Sequence, residues 1–238
     1  MAFSHSPNIV TDGLVFCWDA ADKNCYPGSG ATGTDLIGGL TGTLTNNAAF
    51  STNGAGSIAL DGTADYVAFG NNAPPLLNLT LEGWAAADDW DDSSRHRDII
   101  DSWSSGDNAD WYRISITSSP AGYLAFYIDA GDDEGGHDNS PLTSNINSSW
   151  VNGTWHHIVG VRDTVGDTLS LYADGVLVAS DSHTNNTTIS PGNLNIGDIS
   201  NEDESWDGHI ATAKIYNRAL SAKEVLQNFN ANKSRFGI

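Results

Sequence analysis

The stretch GTWHHIVGVRDTVGDTLSLYADGVLVAS, residues 153–180, decides the fold. Trp155, His157, Val159 and Val161 alternate with His156, Ile158, Gly160 and Arg162, which is the period of two of a half-buried strand. A polar break at 163–167 turns the chain. Leu169, Leu171 and Ala173 then take one face of a second strand and Tyr172 the other. Asp174-Gly175 is a pair favoured in tight type I′ hairpin turns, where both central residues need a positive φ, and it returns the chain as Val176-Leu177-Val178. The three strands predict an antiparallel meander.

Apolar runs at 13–19, 57–62, 65–69, 79–85, 99–101, 111–116, 122–128, 194–197 and 208–217 extend the strand series on both sides. In the run 122–128 both faces are fairly apolar, Leu124, Phe126 and Ile128 on one and Tyr123, Ala125 and Tyr127 on the other, which predicts a central strand or a binding face. The Gly/Thr/Asn-rich passage up to Asn53 predicts short strands and turns, and 129–152 a long polar loop. A helix is expected from Ser221 to about Asn228. Ser221 is the N-cap, Glu224 completes a capping box, and Leu220 can staple to Val225.

The motif Gly-x-Trp-His-His-Ile-Val followed by Leu-Tyr-x-Asp-Gly resembles the central signature of laminin G-like jelly-roll domains, in the concanavalin A-like lectin/glucanase superfamily. Asp61-Gly62 before Asp65-Tyr66-Val67, and Asp207-Gly208-x-Ile210 before Ile215-Tyr216-Asn217-Arg218-Ala219-Leu220-Ser221, are similar to further parts of that pattern. The resemblance covers roughly residues 13–228 and implies an all-β jelly-roll sandwich of two antiparallel sheets with one short C-terminal helix. The expected organisation is an N-terminal arm at 1–12, the domain at 13–228 and a C-terminal tail at 229–238.

The arm and tail together resemble laminin G-like domains of bacteriophage virion proteins. That resemblance implies a non-enzymatic capsid decoration or fibre-type module, synthesised in the host cytoplasm and located in the virion. Its partners would be other virion proteins, met through the arm and tail, together with glycans and further copies of the chain. The alternatives are a calcium-dependent carbohydrate-binding lectin and a glycoside hydrolase or lyase.

The formal net charge is −20, from 10 Lys+Arg against 30 Asp+Glu. Such a surface repels phosphate backbones and anionic lipid, so neither nucleic acid nor membrane is an expected partner. The opening MAFSHSPNIVTDG lacks the basic region and apolar core of a signal peptide, and no run is apolar enough to span a bilayer. Cys17 and Cys25, either free or bridged, have no CxxC partner that would suggest zinc or redox chemistry.

Retaining glycoside hydrolysis needs two carboxylates about 5–5.5 Å apart. The laminarinase-like Glu-x-Asp-x-(x)-Glu strand is missing, and Glu202-Asp203-Glu204 falls in a polar loop. His156 and His157 point to opposite faces of a strand and cannot chelate one ion together; His157 is expected to be core-facing and structural. Many laminin G-like and pentraxin-like domains hold Ca²⁺ through rim loops, which makes Asp129, Asp132, Asp133, Asp198, Asn201, Glu202 and Asp203 the candidate calcium ligands, none with EF-hand spacing. Sugars stack their C–H faces on aromatic rings, so Trp90, Trp103, Trp111 and Trp206, all in or beside polar loops, are the candidate ligand-binding residues.

Overall fold

A computed structural model of the chain describes residues 7–103, 110–130, 142–146, 150–198 and 204–238. In chain order the first strands are β1 (Leu14–Asp19), β2 (Thr32–Thr34), β3 (Thr41–Thr45), β4 (Ala49–Ser51), β5 (Ser57–Asp61), β6 (Tyr66–Ala68), β7 (Leu79–Ala87) and β8 (Arg97–Asp101). They are followed by β9 (Trp111–Ser118), β10 (Ala121–Asp129), β11 (Leu142–Asn145), β12 (His156–Asp163), β13 (Thr168–Ala173), β14 (Val176–Ser182), β15 (Asn195–Ile196) and β16 (Asp207–Tyr216). Helix α1 (Ala222–Asn232) closes the chain with a short 3₁₀ turn, Lys233–Phe236.

Two antiparallel sheets face each other. The first runs β14-β13-β12-β7-β16-β5-β4, with β1 also on β16; the second runs β11-β10-β9-β8-β15-β6-β3-β2. This is the expected all-β sandwich. Strand β16 explains how one edge serves two partners: residues 207–210 pair with β5, and from Thr212 onward the same edge pairs with β1. The sheets bury Ile58, Leu81, Ile158 and Leu171 against Ile100, Ile114, Phe126 and Ile196 in one shared core.

The meander at 156–182 forms as the sequence predicts. Asp174 and Gly175 have φ of 51° and 78°, both positive, as the turn requires. The Asp174 carboxylate also accepts a hydrogen bond from the His157 amide at 2.9 Å and lies 2.8 Å from His156 Nδ1. Gly160 is a packing requirement, since a Cβ there would sit 2.4 Å from the Phe126 ring across the core. Gly160→Ala is expected to cost about 1–3 kcal/mol through overpacking, read as a lower urea midpoint; an unchanged midpoint would show that the sheets yield at this point.

Two features differ from the sequence reading. Strand β11 lies inside the passage expected to be one long loop, where Leu142–Asn145 pair with Tyr123–Phe126. The meander strand β12 is buried on both faces rather than one. Its second face is covered because α1, the segment after it and residues 7–12 form an extra layer over the first sheet. Val159, Val161 and Tyr216 pack under Val10, Leu220 and Val225, and Phe229 and Phe236 both stack on Trp84. Arg235 adds an ion pair to Asp19 at 2.9 Å.

The helix starts at the predicted cap, with Ser221 and Glu224 exchanging both capping-box bonds, but continues four residues beyond Asn228 to reach Asn232. Asn228 itself anchors the layer. It accepts from the Val10 amide at 2.7 Å and donates to Glu82 Oε2 at 2.6 Å. Cys17 and Cys25 are free and buried, and burial pushes their thiols up to about 11 and about 12, so neither is a reactive thiolate at neutral pH.

Candidate functional site

The outer face of the second sheet carries a concentration of chemistry that its strand periodicity creates. On β9, Tyr112, Ile114 and Ile116 point to the core, which leaves Trp111, Arg113, Ser115 and Thr117 outside. On β10, Leu124, Phe126 and Ile128 point in, and Ala125 and Tyr127 cluster outside with Trp111 and Trp103. Arg113, on β9, reaches the rings of both Trp111 and Tyr127, whose centroids are themselves 5.9 Å apart. Its guanidinium carbon is 5.0 Å from the Trp111 ring centroid and 4.5 Å from that of Tyr127, within cation–π range.

Strand β8 supplies the acids. Asp98 and Asp101 are three apart and would face opposite sides of a regular strand. A register shift between Asp98 and Ile100 places Asp98 opposite Ser115 and Asp101 opposite Arg113, so both carboxyls share the outer face while Ile99 and Ile100 stay in the core. Arg113 Nη1 lies 2.6 Å from Glu204 Oε2 and 3.5 Å from Asp98 Oδ2. The Trp103 amide donates to Asp101 Oδ1 at 3.0 Å.

Burial dominates the electrostatics. It pushes Asp101 up to about 8, against the opposing amide of Trp103 and the charge of Arg113. It also holds Asp98 well above the carboxylate range, with Asp101, Glu204 and Asp198 adding to the rise and Arg113 opposing it. Burial works against the charge of Arg113 too, but Asp98, Glu204 and Asp101 more than offset it, so the guanidinium stays charged. His96, edge-on to Tyr127, is lowered by burial.

Among the described residues, several buried polar atoms on this face have no hydrogen-bond partner: Asp98 Oδ1, Asp101 Oδ2, Arg113 Nε, Ser115 Oγ and Asn195 Nδ2. Unmet groups of this kind cost about 1–3 kcal/mol each, and a hydroxyl or water that reaches them recovers that cost.

The structure redistributes the expected residues. Trp111 and Tyr127 belong to this face but are each only 8 % exposed, and Trp103 lies beside them, half-buried. Trp90 and Trp206 do not belong to it. They are 2 % and 0 % exposed, stand edge-to-face at 5.7 Å, and fill the core at the end of the sandwich beside Trp150 and His156. Neither can stack on a sugar without leaving the core. Their short flanking loops looked polar, yet the rings turn inward, and Trp206 Nε1 donates to Ala86 O at 3.2 Å.

Of the expected calcium ligands, Asp129 and Asp198 are both buried; Asp132, Asp133, Asn201, Glu202 and Asp203 lie outside the described residues. Among the described residues no three His, Cys, Asp or Glu side chains gather as a metal would need. His157 is fully buried, with Nε2 3.4 Å from Glu82 Oε1, but it does not face the core between the sheets as expected: Ile158 does, and His157 points the other way, against Trp84 and Phe229 under the outer layer. The sequence reading did not single out Asp98, Asp101, Arg113, Ser115 or Glu204. The only signal was Arg97-Asp98-Ile99-Ile100-Asp101 itself, where two carboxylates bracket two isoleucines.

No curated protein sequence matches the chain. Among solved structures, domain 4 of an extracellular arabinanase from Geobacillus stearothermophilus, in complex with arabinotriose, superposes with a TM-score of 0.65 at 15% identity, over 90% of this chain and 97% of that one. The botulinum neurotoxin serotype D ligand-binding domain in complex with N-acetylneuraminic acid gives 0.68 at 15%, over 92% of this chain and 50% of that one. A Trypanosoma rangeli sialidase in complex with a difluorinated nonulosonic acid gives 0.64 at 15%, over 95% of this chain and 34% of that one. The chain thus spans nearly all of the arabinanase domain, about half of the toxin domain and a third of the sialidase. A laminin G-like family model matches residues 61–226, well over half of the chain, which therefore belongs to the concanavalin A-like lectin/glucanases superfamily.

Proposed function

We propose that the chain is a non-enzymatic glycan-binding module whose ligand lies against the outer face of the second sheet, over Trp103, Trp111, Arg113 and Tyr127. The observation that carries this reading is Arg113 set beside the adjacent rings of Trp111 and Tyr127, with Glu204 and Asp98 in ion-pair reach of its guanidinium. Rings offer an apolar surface to sugar C–H groups, and a fixed guanidinium with neighbouring carboxylates orients hydroxyls. The order is built in before any ligand arrives, which lowers the entropic cost of binding. Sugars present in the complexes of structural neighbours make glycans the first ligand class to test.

Asp98 and Asp101 lie on this face but are completely buried, Asp98 within 3.5 Å of Arg113. That favours binding over cleavage. The setting in this proposal is the surface of a bacteriophage particle, as the sequence resemblance implies. Residues 8–12 and the segment after α1 are engaged with the chain's own outer layer, so neighbours in a particle, or further copies of the chain, would be met by other surfaces.

A glycan array probed with the purified chain, in Ca²⁺ and again in chelator, tests the reading. Binding is expected in both conditions and is expected to fall at least tenfold in Arg113→Ala. Binding lost in chelator would favour the calcium-dependent lectin instead, and turnover of a bound polysaccharide would favour a hydrolase or lyase. Silence in both conditions would overturn the assignment of this face.

A further inference from the structure

A second site lies at the rim, away from the outer face of the second sheet. A polar cavity of about 230 Å³ is lined by Asp61, Gly62 and Thr63 of the β5–β6 turn, by Asp92, Ser94 and Arg95 of the β7–β8 loop, by Arg97 at the start of β8, and by Asp207 at the start of β16. Neighbouring residues of β8 therefore serve two places. Asp98 stands opposite Ser115 on the outer face, whereas Arg97 stands opposite Ile116, a core residue, and reaches out to the rim.

The lining is held in position by its own bonds. Arg97 donates to Asp89 O and pairs with Asp92, and Arg95 donates to Gly62 O at 3.0 Å. Asp61 Oδ1 accepts from the Thr63 amide and Oδ2 from Asn47 Nδ2. Gly62, at φ +74°, lets the turn approach Asp207 closely; a Cβ there would be 3.0 Å from Asp207 Cβ. Among the described residues, the Asp207 carboxylate accepts no hydrogen bond, and Arg97 Nε, in a side chain 5% exposed, donates none.

We propose that this cavity is a binding subsite for a single neutral sugar ring, recognised through its hydroxyls. Pockets for drug-sized ligands run to about 300–1,000 Å³, so this smaller space suits one ring rather than a chain. Among the described residues no aromatic side chain lines it, so recognition comes from hydrogen bonds, with Asp207 accepting from the ligand. Three carboxylates outnumber two guanidiniums that are already engaged, which disfavours an anionic sugar. Burial raises the Asp207 carboxyl, with Asp88, Asp61 and Asp92 adding to the rise and Arg97 opposing it, and a neutral donor that bonds to the carboxylate relieves that strain. The subsite stands independently of the Arg113 face.

Saturation-transfer NMR with the intact chain and separate solutions of arabinose, galactose, glucose, mannose and N-acetylglucosamine, with N-acetylneuraminic acid as the anionic control, tests the proposal. Transfer from at least one neutral sugar is expected. It should weaken at least tenfold in Asp207→Asn and in Thr63→Trp, which fills the cavity from an exposed position, and should be unchanged in Arg113→Ala. Urea midpoints equal to that of the parent chain confirm that the two rim variants fold. No transfer from any neutral sugar, transfer that survives both rim variants, or preference for N-acetylneuraminic acid would overturn it. Loss in Arg113→Ala with the rim variants intact would place the sugar on the other face.

Discussion

Replacing Glu82 with leucine is expected to destabilise the chain by about 3–5 kcal/mol, because it strands a buried cation. Glu82 is fully buried on the outer face of β7, where Oε1 meets Lys214 Nζ at 2.7 Å and His157 Nε2 at 3.4 Å, and Oε2 accepts from Asn228 Nδ2 at 2.6 Å. Asn228 in turn donates to the Tyr216 hydroxyl, which donates to Val10 O at 3.1 Å. One carboxylate therefore joins the sheet, helix α1 and the N-terminal segment. The double variant Glu82→Leu/Lys214→Met should recover most of the loss, since a pair replaced together by apolar groups leaves nothing unpaired. Urea unfolding of the three proteins is the measurement, and a single-variant loss under about 1 kcal/mol would show that Lys214 finds another partner.

The sign of the pH dependence at Glu82 follows from the same contacts. Burial alone would raise this carboxyl, but Lys214 and His157 overcome it and hold the group well below its ordinary value of 4.5. A depressed folded pKa adds stability that is present above the unfolded value and is lost as pH falls below it. The outer layer should therefore loosen in acid, below about pH 4.

Asp101→Asn is expected to act in the opposite sense, raising stability at pH 8 by a few kcal/mol and changing little near pH 4. Asp101 sits at about 8 rather than 3.8, so the folded chain keeps a proton that the unfolded chain releases. A raised folded pKa contributes stability that is complete below the unfolded value and lost as pH climbs through the folded one. Asp98 is raised too and adds to the same slope. The parent chain should accordingly weaken between about pH 4 and pH 8, while the variant, which has no proton to lose at this position, follows a flatter curve. Urea midpoints at both pH values test this, and parallel curves would show that Asp101 is solvated in solution.

The meander and its turn were legible because alternation over 156–178 and a positive-φ pair at Asp174-Gly175 are local properties. The capping box at Ser221 and Glu224 was legible for the same reason. Burial on the outer side of the first sheet was not, since it depends on residues 8–12 meeting residues after 221, a contact across the whole chain. Alternation reports which side of a strand is apolar and says nothing of what later covers the polar side. The candidate face was hidden by a single extra residue. Without the bulge at β8, Asp98 and Asp101 would face opposite ways, and no count of spacing predicts the bulge. Trp90 and Trp206 were misplaced because loop polarity describes the neighbours of a ring and leaves its direction open.

The outer layer has a consequence for presentation. Both described ends of the chain lie on the first sheet, through Val10 at one end and Phe236 on Trp84 at the other, while Arg113 stands on the far side of the second. Any attachment made at either end, whether a neighbouring domain, a fusion partner or a solid support, therefore leaves the Arg113 face turned away from the anchor. Many tethered copies would then display that face in the same direction, and weak single contacts would add as avidity.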